Sequence, residues 1–360
     1  MASLRSRTER PSGAVGRGAL AALLALALVG TLQSGAPIRA ATQAGDRSSV
    51  NIREWDVPQG SAAFVPHDPA VAPDGGAWYT GYGANVLGRL DVATGQIKEF
   101  ALPTADSGPH GLIADTQGNI WYTGNRAALI GRLEPTTGRV TEYKMPDPAA
   151  RDPHTPILDQ KGRLWFTVQS GNFVGALDPA TGVITLKPLA TPKAMPHGIV
   201  ISSRGVPFFA MSGTNKIGSI DPQTMAVTEH VLPEGARPRR LVVTAGDVIW
   251  YGDSARGVLG RLDPTTNVVR EIPSPGGPKS APWGVAATGD GIIWYSESGV
   301  TPNTVVRFDP GTGQMQSWPI PSGGGVVRHM VAAPDGTLWL ACSGVGKIGR
   351  VQVSPGSASR

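Results

Sequence analysis

The chain has 360 residues, a formal net charge of +5 and a single cysteine. Its 48 glycines and 32 prolines make it rich in turns, yet hydrophobic residues form 40 % of the sequence. That share is enough for a buried core and excludes a mostly disordered chain. Because Cys342 is the only cysteine, an internal disulfide is also excluded.

The first 41 residues have the layout of a signal peptide. Four arginines precede an apolar run over residues 19–29, and an alanine-containing stretch follows at 36–41. The run is too short for a membrane span, which needs about twenty residues. We therefore expect a cleaved signal peptide at 1–41, a linker at 42–50 and an exported protein, periplasmic or extracellular, with no stable membrane span. An uncleaved N-terminal anchor is the alternative.

The basic charge is concentrated in that leader, which carries five arginines and one glutamate. Without it the positive and negative side chains nearly balance, and no basic run remains. Nucleic acids and anionic membranes attract proteins through clustered positive charge. We therefore expect no nucleic-acid partner.

One aromatic position recurs along the rest of the chain at intervals of 42 to 45 residues. A phrase similar to Gly-Arg-Leu-Asp follows each aromatic residue, and in most copies a Thr-Gly turn and a phrase similar to Glu-Phe-x-Leu-Pro come next. The seven aromatic residues are Trp78, Trp121, Trp165, Phe208, Trp250, Trp294 and Trp339. A fixed period of this length is typical of a repeat architecture.

Each repeat predicts four short β-strands, because apolar and alternating segments are separated by Asp-Gly, Gln-Gly, Lys-Gly and Thr-Gly pairs. No segment has a sustained helical period. The sequence therefore predicts an all-β fold, a seven-bladed β-propeller whose blades are four-stranded antiparallel sheets.

The two ends of the chain complement each other. The seventh repeat stops after its third strand, and the missing outer strand matches residues 52–58 near the N-terminus. A propeller must close its ring or leave exposed sheet edges. We expect the N-terminal strand to complete the last blade, a propeller over 51–354 and a disordered tail at 355–360.

Five of the six histidines fall about eleven residues before the repeated aromatics, where the first strand of each blade begins. We align the seven copies there as His67, His110, His154, His197, Arg240, Trp283 and His329. Innermost strands line the channel, so these side chains are expected to gather at one channel mouth. Imidazoles there can act as bases or metal ligands; the alternative is that they only hold the turns of the repeat.

A second repeated position lies three residues after each aromatic. Only two blades carry a carboxylate there, Asp253 and Glu297, and these are the blades whose inner position lacks histidine. Departures from a repeat at one sector mark candidate functional residues. We predict Asp253 and Glu297 as metal ligands.

The repeated phrases Pro-His-Gly, Trp-Tyr-Thr and Gly-Arg-Leu-Asp-Pro-x-Thr-Gly resemble those of the virginiamycin B lyase family of seven-bladed propellers. The resemblance implies a magnesium-assisted elimination in which a channel histidine removes a proton next to a carbonyl and a C–O bond breaks. On this basis His329, in the last blade, is the implied base. Where the resemblance implies two last-blade carboxylates for Mg²⁺, this chain has Val327 and Cys342; Glu297 keeps the Trp-x-x-Glu pattern one blade earlier.

Three functions follow from these residues. The first is a C–O lyase with His329 as base, a divalent ion on Asp253 and Glu297, and substrate contacts from the other inner residues. The second is a non-catalytic propeller that binds a small-molecule or cell-envelope ligand, or a protein partner, at the channel mouth. The third is a transition-metal centre on the histidines, since imidazoles suit zinc, copper or iron. We expect a monomer in each case.

Overall fold

A computed structural model describes residues 49–354. In this range the chain forms seven four-stranded antiparallel sheets and one 3₁₀ turn, Ala245–Asp247. The all-β seven-bladed propeller expected from the repeats is therefore confirmed. None of the helical structure in the described range is long and apolar enough to cross a membrane.

Blades 1 to 6 each consist of four consecutive strands, numbered from the channel outward. Blade 1 is β2 Pro69–Val71, β3 Ala77–Gly81, β4 Val86–Leu90 and β5 Ile97–Ala101. Blade 2 is β6 Pro109–Ala114, β7 Ile120–Gly124, β8 Leu129–Glu134 and β9 Arg139–Lys144. Blade 3 is β10 Pro153–Leu158, β11 Leu164–Val168, β12 Phe173–Leu177 and β13 Ile184–Pro188.

The same order continues around the ring. Blade 4 is β14 Pro196–Ile201, β15 Pro207–Met211, β16 Lys216–Ile220 and β17 Val227–Val231. Blade 5 is β18 Pro238–Thr244, β19 Val248–Asp253, β20 Val258–Asp263 and β21 Val268–Pro273. Blade 6 is β22 Pro282–Ala287, β23 Ile293–Glu297, β24 Thr304–Phe308 and β25 Met315–Pro319.

Blade 7 joins the two ends of the described chain. It contains β26 Val327–Ala332, β27 Leu338–Cys342 and β28 Lys347–Ser354, and its outer strand is β1 Ser49–Asp56. β1 pairs antiparallel with β28 from Ser49 opposite Ser354 to Asp56 opposite Lys347. The N-terminal strand thus completes the last blade, as expected. The predicted signal peptide and tail lie outside the described residues.

The core is divided among the seven contacts between neighbouring blades. Each contact contains its own cluster of buried apolar side chains. Between blades 1 and 2, for example, Trp78 packs in one cluster with Leu112 and Tyr122. At the closure, Trp55 of β1 stacks on Trp339 with ring centroids 6.0 Å apart. The repeated aromatic residue therefore contributes to packing around the whole ring.

The glycine of the Gly-Arg-Leu-Asp phrase is required by this packing. A Cβ at Gly88 would lie 2.0 Å from the ring of Tyr79, and one at Gly131 would lie 2.1 Å from the ring of Tyr122. No side chain fits at that distance. The aromatic residue of the second strand lies directly over the third, which explains why the glycine recurs.

Candidate ligand site at the channel mouth

The strand registers define which residues are equivalent in the seven blades. In blades 2 and 4 the inner strand starts with Pro109 opposite Gly124 and with Pro196 opposite Met211. The corresponding starts in blades 5 and 7 are Pro238 opposite Asp253 and Val327 opposite Cys342. The residue after each start occupies the position of the histidines. We call these seven residues the mouth ring: His67, His110, His154, His197, Arg239, Trp283 and Arg328.

Two sequence alignments were therefore wrong by one residue. Arg239, and not Arg240, takes the ring position in blade 5; Arg328, and not His329, takes it in blade 7. The prediction aligned blade 7 on its histidine, although the ring position lies eleven residues before the aromatic in every repeat. That constant spacing was the signal that would have found Arg239 and Arg328.

Blades 1 to 4 supply a histidine arc, defined as His67, His110, His154 and His197. All four side chains are buried. Successive ring centroids are 4.0, 3.9 and 4.1 Å apart, with neighbouring planes tilted by about 48°. Burial lowers the pKa of each of these imidazoles, and neighbouring positive charges act in the same direction. The arc is therefore a row of neutral imidazoles at neutral pH.

Threonine hydroxyls hold the arc in place. Thr80 Oγ1 donates to the backbone carbonyl of His110 at 2.7 Å, and Thr123 Oγ1 does the same for His154 at 2.8 Å. Thr167 repeats the contact to His197 at 2.6 Å. The threonine near the end of the second strand in blades 1 to 3 thus links its blade to the inner strand of the following blade. These links fix the spacing of the imidazoles.

A buried ion pair crosses the channel next to the arc. Arg240 of blade 5 contacts both carboxylate oxygens of Asp68 in blade 1, at 2.8 and 2.7 Å, and donates to Thr155 of blade 3 at 2.9 Å. Arg240 and Asp68 are each no more than 2 % exposed. Burial alone would raise the pKa of Asp68, but Arg240 and the nearby histidines hold it well below its usual range. Asp68 is therefore ionised.

Asp68 also fixes the protonation of one arc histidine. His67 Nδ1 lies 3.0 Å from Asp68 Oδ1. Because the carboxylate is ionised and can only accept, Nδ1 carries the proton and Nε2 carries the lone pair. Asp68 was not among the residues predicted from the sequence. The position after the ring residue is glycine in blades 2, 4 and 6 but an acid in blade 1, and this departure from the repeat could have identified Asp68.

The other part of the ring is cationic. We call Arg239, Trp283 and Arg328 the arginine–tryptophan sector. The guanidinium carbons of Arg239 and Arg328 lie 4.8 and 5.4 Å from the centroid of the Trp283 ring. Arg328 also lies 4.8 Å from the ring of Phe64, a residue that is 45 % exposed at the rim.

The mouth ring encloses a small cavity of about 150 Å³, lined also by Gln169 and Arg240. Three larger grooves lie on other parts of the described surface, and none of the three is lined by a histidine. Residues predicted to bind substrate, His67, His110, His154, His197, Arg240 and Trp283, all line this cavity. The structure thus brings them together in one place.

His329, the predicted base, lies one residue beyond the ring and is not among the residues that line the cavity. It is partly buried, and burial together with Arg240 lowers its pKa to about 3. Its Nδ1 is buried without a hydrogen-bond partner in the described structure. The neutral imidazoles that line the cavity belong to blades 1 to 4.

The two predicted metal ligands, Asp253 and Glu297, contact separate sets of donors. Asp253 contacts Arg256 at 2.7 Å and accepts from the backbone N–H of Arg237 at 3.1 Å. Glu297 accepts from the hydroxyl of Ser274, from the backbone N–H of Gly276 and from Thr304. Each carboxylate is thus fully engaged by its own surroundings. Within residues 49–354, neither belongs to a group of three potential metal ligands.

The donor atoms do not fit magnesium at the last-blade positions that the family resemblance implies. Val327 and Cys342 there are fully buried and supply no oxygen ligand, whereas Mg²⁺ requires hard oxygen donors. In the described range, the group of three potential ligands is His67, Asp68 and His110, whose ligand atoms lie within 4.8 Å of one another. Both oxygens of Asp68 already contact Arg240. A cation there would have to displace this guanidinium.

A family model, described as the virginiamycin B lyase family, matches residues 40–213 and 205–358. The two matches cover almost the entire propeller. The chain belongs to the virginiamycin B lyase family. No curated protein matches it.

Solved structures share the fold. A streptogramin B lyase is 27 % identical with a TM-score of 0.77, over 85 % of this chain and 98 % of that one. Virginiamycin B lyase from Staphylococcus aureus is 24 % identical with a TM-score of 0.76, over 84 % and 99 %. An extracellular two-component-system domain from B. thetaiotaomicron shares the fold at 15 % identity and a TM-score of 0.65, over 85 % and 42 %.

Proposed function

We propose that this chain is an exported member of the virginiamycin B lyase family that performs a C–O elimination on a small ligand at the mouth ring. The observation that carries the proposal is the cavity itself, where neutral imidazoles face guanidinium groups. A base and a positive charge for a developing oxyanion are the two requirements of such an elimination.

His67 is the base in this proposal. Its Nδ1–H is held by Asp68, so the Nε2 lone pair is free to accept a proton. Nε2 takes the proton from a carbon next to a carbonyl, the electron pair forms a C=C bond, and the C–O bond at the neighbouring carbon breaks. The oxygen leaves as a carboxylate, and solvent later removes the proton from His67. No water is added, so the products together have the mass of the substrate.

Guanidinium groups take the part that a divalent ion has in the mechanism implied by the family. Arg328 is close enough to His67 to influence its pKa, so base and positive charge share one cavity. Fixed hydrogen-bond donors in a water-poor site stabilise developing negative charge strongly. This arrangement needs no oxygen ligand at Val327 or Cys342.

Export is the second part of the proposal. It is supported by the leader pattern at 1–41 and is consistent with the extracellular location named for a propeller of the same fold. Processing can be checked by N-terminal sequencing of the protein recovered from the host in which it is expressed; a new N-terminus near residue 42 is expected.

Non-catalytic ligand binding is the second candidate function. It is favoured by the loss of oxygen ligands at the last-blade positions and by the small volume of the cavity. In that case the mouth ring would hold its ligand without changing it.

The test is incubation of the purified protein with a streptogramin B depsipeptide in the presence of a chelator. We expect a ring-opened product with the mass of the substrate, and a rate reduced on the order of 10²-fold or more in His67→Gln. His329→Gln is the matched control, because His329 is a histidine whose side chain does not line the cavity, and it should retain most of the rate. A product heavier by one water would contradict elimination, as would a strict requirement for added Mg²⁺. Binding without turnover would favour the second candidate.

A further inference from the structure

We propose that the arginine–tryptophan sector binds a carboxylate group of the ligand, with an apolar or aromatic part of the same ligand lying against the rim. Within the proposed function this carboxylate is the leaving group, and to that extent the inference rests on that function. Binding of a carboxylate is otherwise independent of any turnover.

The cavity has an excess of positive charge. Its lining contains the guanidinium groups of Arg239, Arg240 and Arg328. Arg240 is neutralised by Asp68. Neither Arg239 nor Arg328 forms an ion pair with any described carboxylate. Because the histidine arc is neutral, two positive charges are left without a local partner.

The charges of Arg239 and Arg328 are partly buried and lie near each other. Burial lowers the pKa of Arg239, and Arg237 and Arg328 act in the same direction. Burial likewise lowers the pKa of Arg328, although Asp68 acts against it. Removing charge from water without a partner costs free energy, and an anion in the cavity would offset that cost.

The N–H donors of the arginine–tryptophan sector are largely unused. The guanidinium carbons of both arginines lie over the Trp283 ring, at 4.8 and 5.4 Å from its centroid, in cation–π contact that uses none of their N–H groups as hydrogen-bond donors to another side chain. Arg239 makes one weak contact, from Nε to Ser254 at 3.3 Å, and Arg328 makes no side-chain hydrogen bond in the described structure. Trp283 Nε1 is a further buried donor without a partner. Paired N–H groups of arginine match the two oxygens of a carboxylate.

The rim indicates the rest of the ligand. Phe64 and Tyr82 lie next to His67, with ring centroids 6.2 and 5.9 Å from the imidazole. Phe64 is 45 % exposed, so an apolar group at the rim could cover it. A cavity of about 150 Å³ has room for a planar carboxylate but little beyond it, so the ligand body must extend toward these rings.

The probe that tests this is phenylacetate, measured by isothermal titration calorimetry against phenylacetamide, which has the same shape without the charge. We expect phenylacetate to bind about tenfold or more tightly than the amide, and Arg328→Gln to remove about tenfold or more of its affinity. Arg239→Gln is the second variant. Arg261→Gln, in the third strand of blade 5 and outside the cavity, is the matched control and should bind as the unaltered protein does.

The inference is overturned if acid and amide bind equally, if neither binds, or if Arg328→Gln and Arg239→Gln both bind normally. Inorganic phosphate is included as a separate arm, and tighter binding of phosphate than of phenylacetate would contradict a carboxylate site. The outcome is distinct from that of the elimination assay. Carboxylate binding without turnover overturns only the lyase, whereas turnover without any preference for the acid overturns only this inference.

Discussion

The histidine arc and the arginine–tryptophan sector occupy the same positions of one ring but differ in chemistry. Blades 1 to 4 repeat a buried neutral imidazole, and in blades 2 to 4 the backbone carbonyl of that histidine accepts from a threonine hydroxyl of the preceding blade. Blades 5 to 7 replace it with partly buried side chains, of which the two arginines are charged and make cation–π contacts with the tryptophan. The copies that keep the repeat give the mouth its shape, and the copies that depart from it give the mouth its charge.

Arg240 links the two parts. From blade 5 it reaches Asp68 and Thr155, which directly follow the arc residues His67 and His154. The ion pair therefore orients one imidazole and ties the divergent blades to the repeated ones. The arc, this link and the divergent blades therefore contribute separately to stability, and substitutions in each can measure them.

The largest effect should come from titrating the arc. The unfolded chain binds protons on histidine near pH 6.5, whereas burial lowers the folded pKa of all four arc residues. The unfolded state therefore binds more protons below pH 6.5, and the free energy of unfolding falls as the pH falls. Each group contributes at most about 1.4 kcal/mol per pH unit, and the four together at most about 5.5. Urea unfolding between pH 7 and 5 measures this slope.

Two variants separate the arc from the divergent blades in that experiment. His197→Gln should reduce the slope by up to one proton, because one neutral buried imidazole is removed. Trp283→Phe changes the same ring without removing a titrating group, and its slope should match that of the unaltered protein. An unchanged slope in His197→Gln would mean that the arc is not held neutral by burial.

The next effect concerns the link. Arg240→Met leaves Asp68 buried without its partner, so we expect a loss of about 3–5 kcal/mol in the free energy of unfolding at neutral pH. Combining it with Asp68→Asn should restore part of that loss. Arg89→Met is the matched control, because Arg89 pairs with Asp74 at 2.8 Å on an exposed surface; its expected cost is about 0–1 kcal/mol. Equal costs for Arg240→Met and Arg89→Met would show that the buried pair does not join the two parts of the ring.

The repeat made the fold predictable from sequence. A constant period fixed the number of blades, and the complementary ends identified β1 as the closing strand. The predicted gathering of inner residues at one mouth also followed, because ring closure requires it. These three features depend only on the spacing of residues along the chain, which can be read directly from the sequence.

The details of the site depend on contacts that spacing does not contain. Arg240 and Asp68 are 172 residues apart in sequence and meet only because blades 1 and 5 face each other across the channel. The ring position of Arg328 could be predicted from its spacing to Trp339, but the adjacent His329 was assigned to that position instead. The two acids, Asp253 and Glu297, looked like a pair because they share a repeat position, yet each is satisfied by donors near it.

The smallest effect should come from Glu297 in the divergent part. Its carboxylate accepts from Gly276 N and Thr304 Oγ1, each at 2.6 Å, and from Ser274. Glu297→Gln loses acceptor capacity toward these donors, so we expect a cost of about 1–2 kcal/mol in the free energy of unfolding. Bound magnesium or calcium, measured by elemental analysis, should be the same in Glu297→Gln, in Glu99→Gln as the matched control and in the unaltered protein. Loss of a stoichiometric divalent ion in Glu297→Gln alone would instead support the metal site that the sequence pattern predicted, and would make the divergent blades a metal centre rather than an anion site.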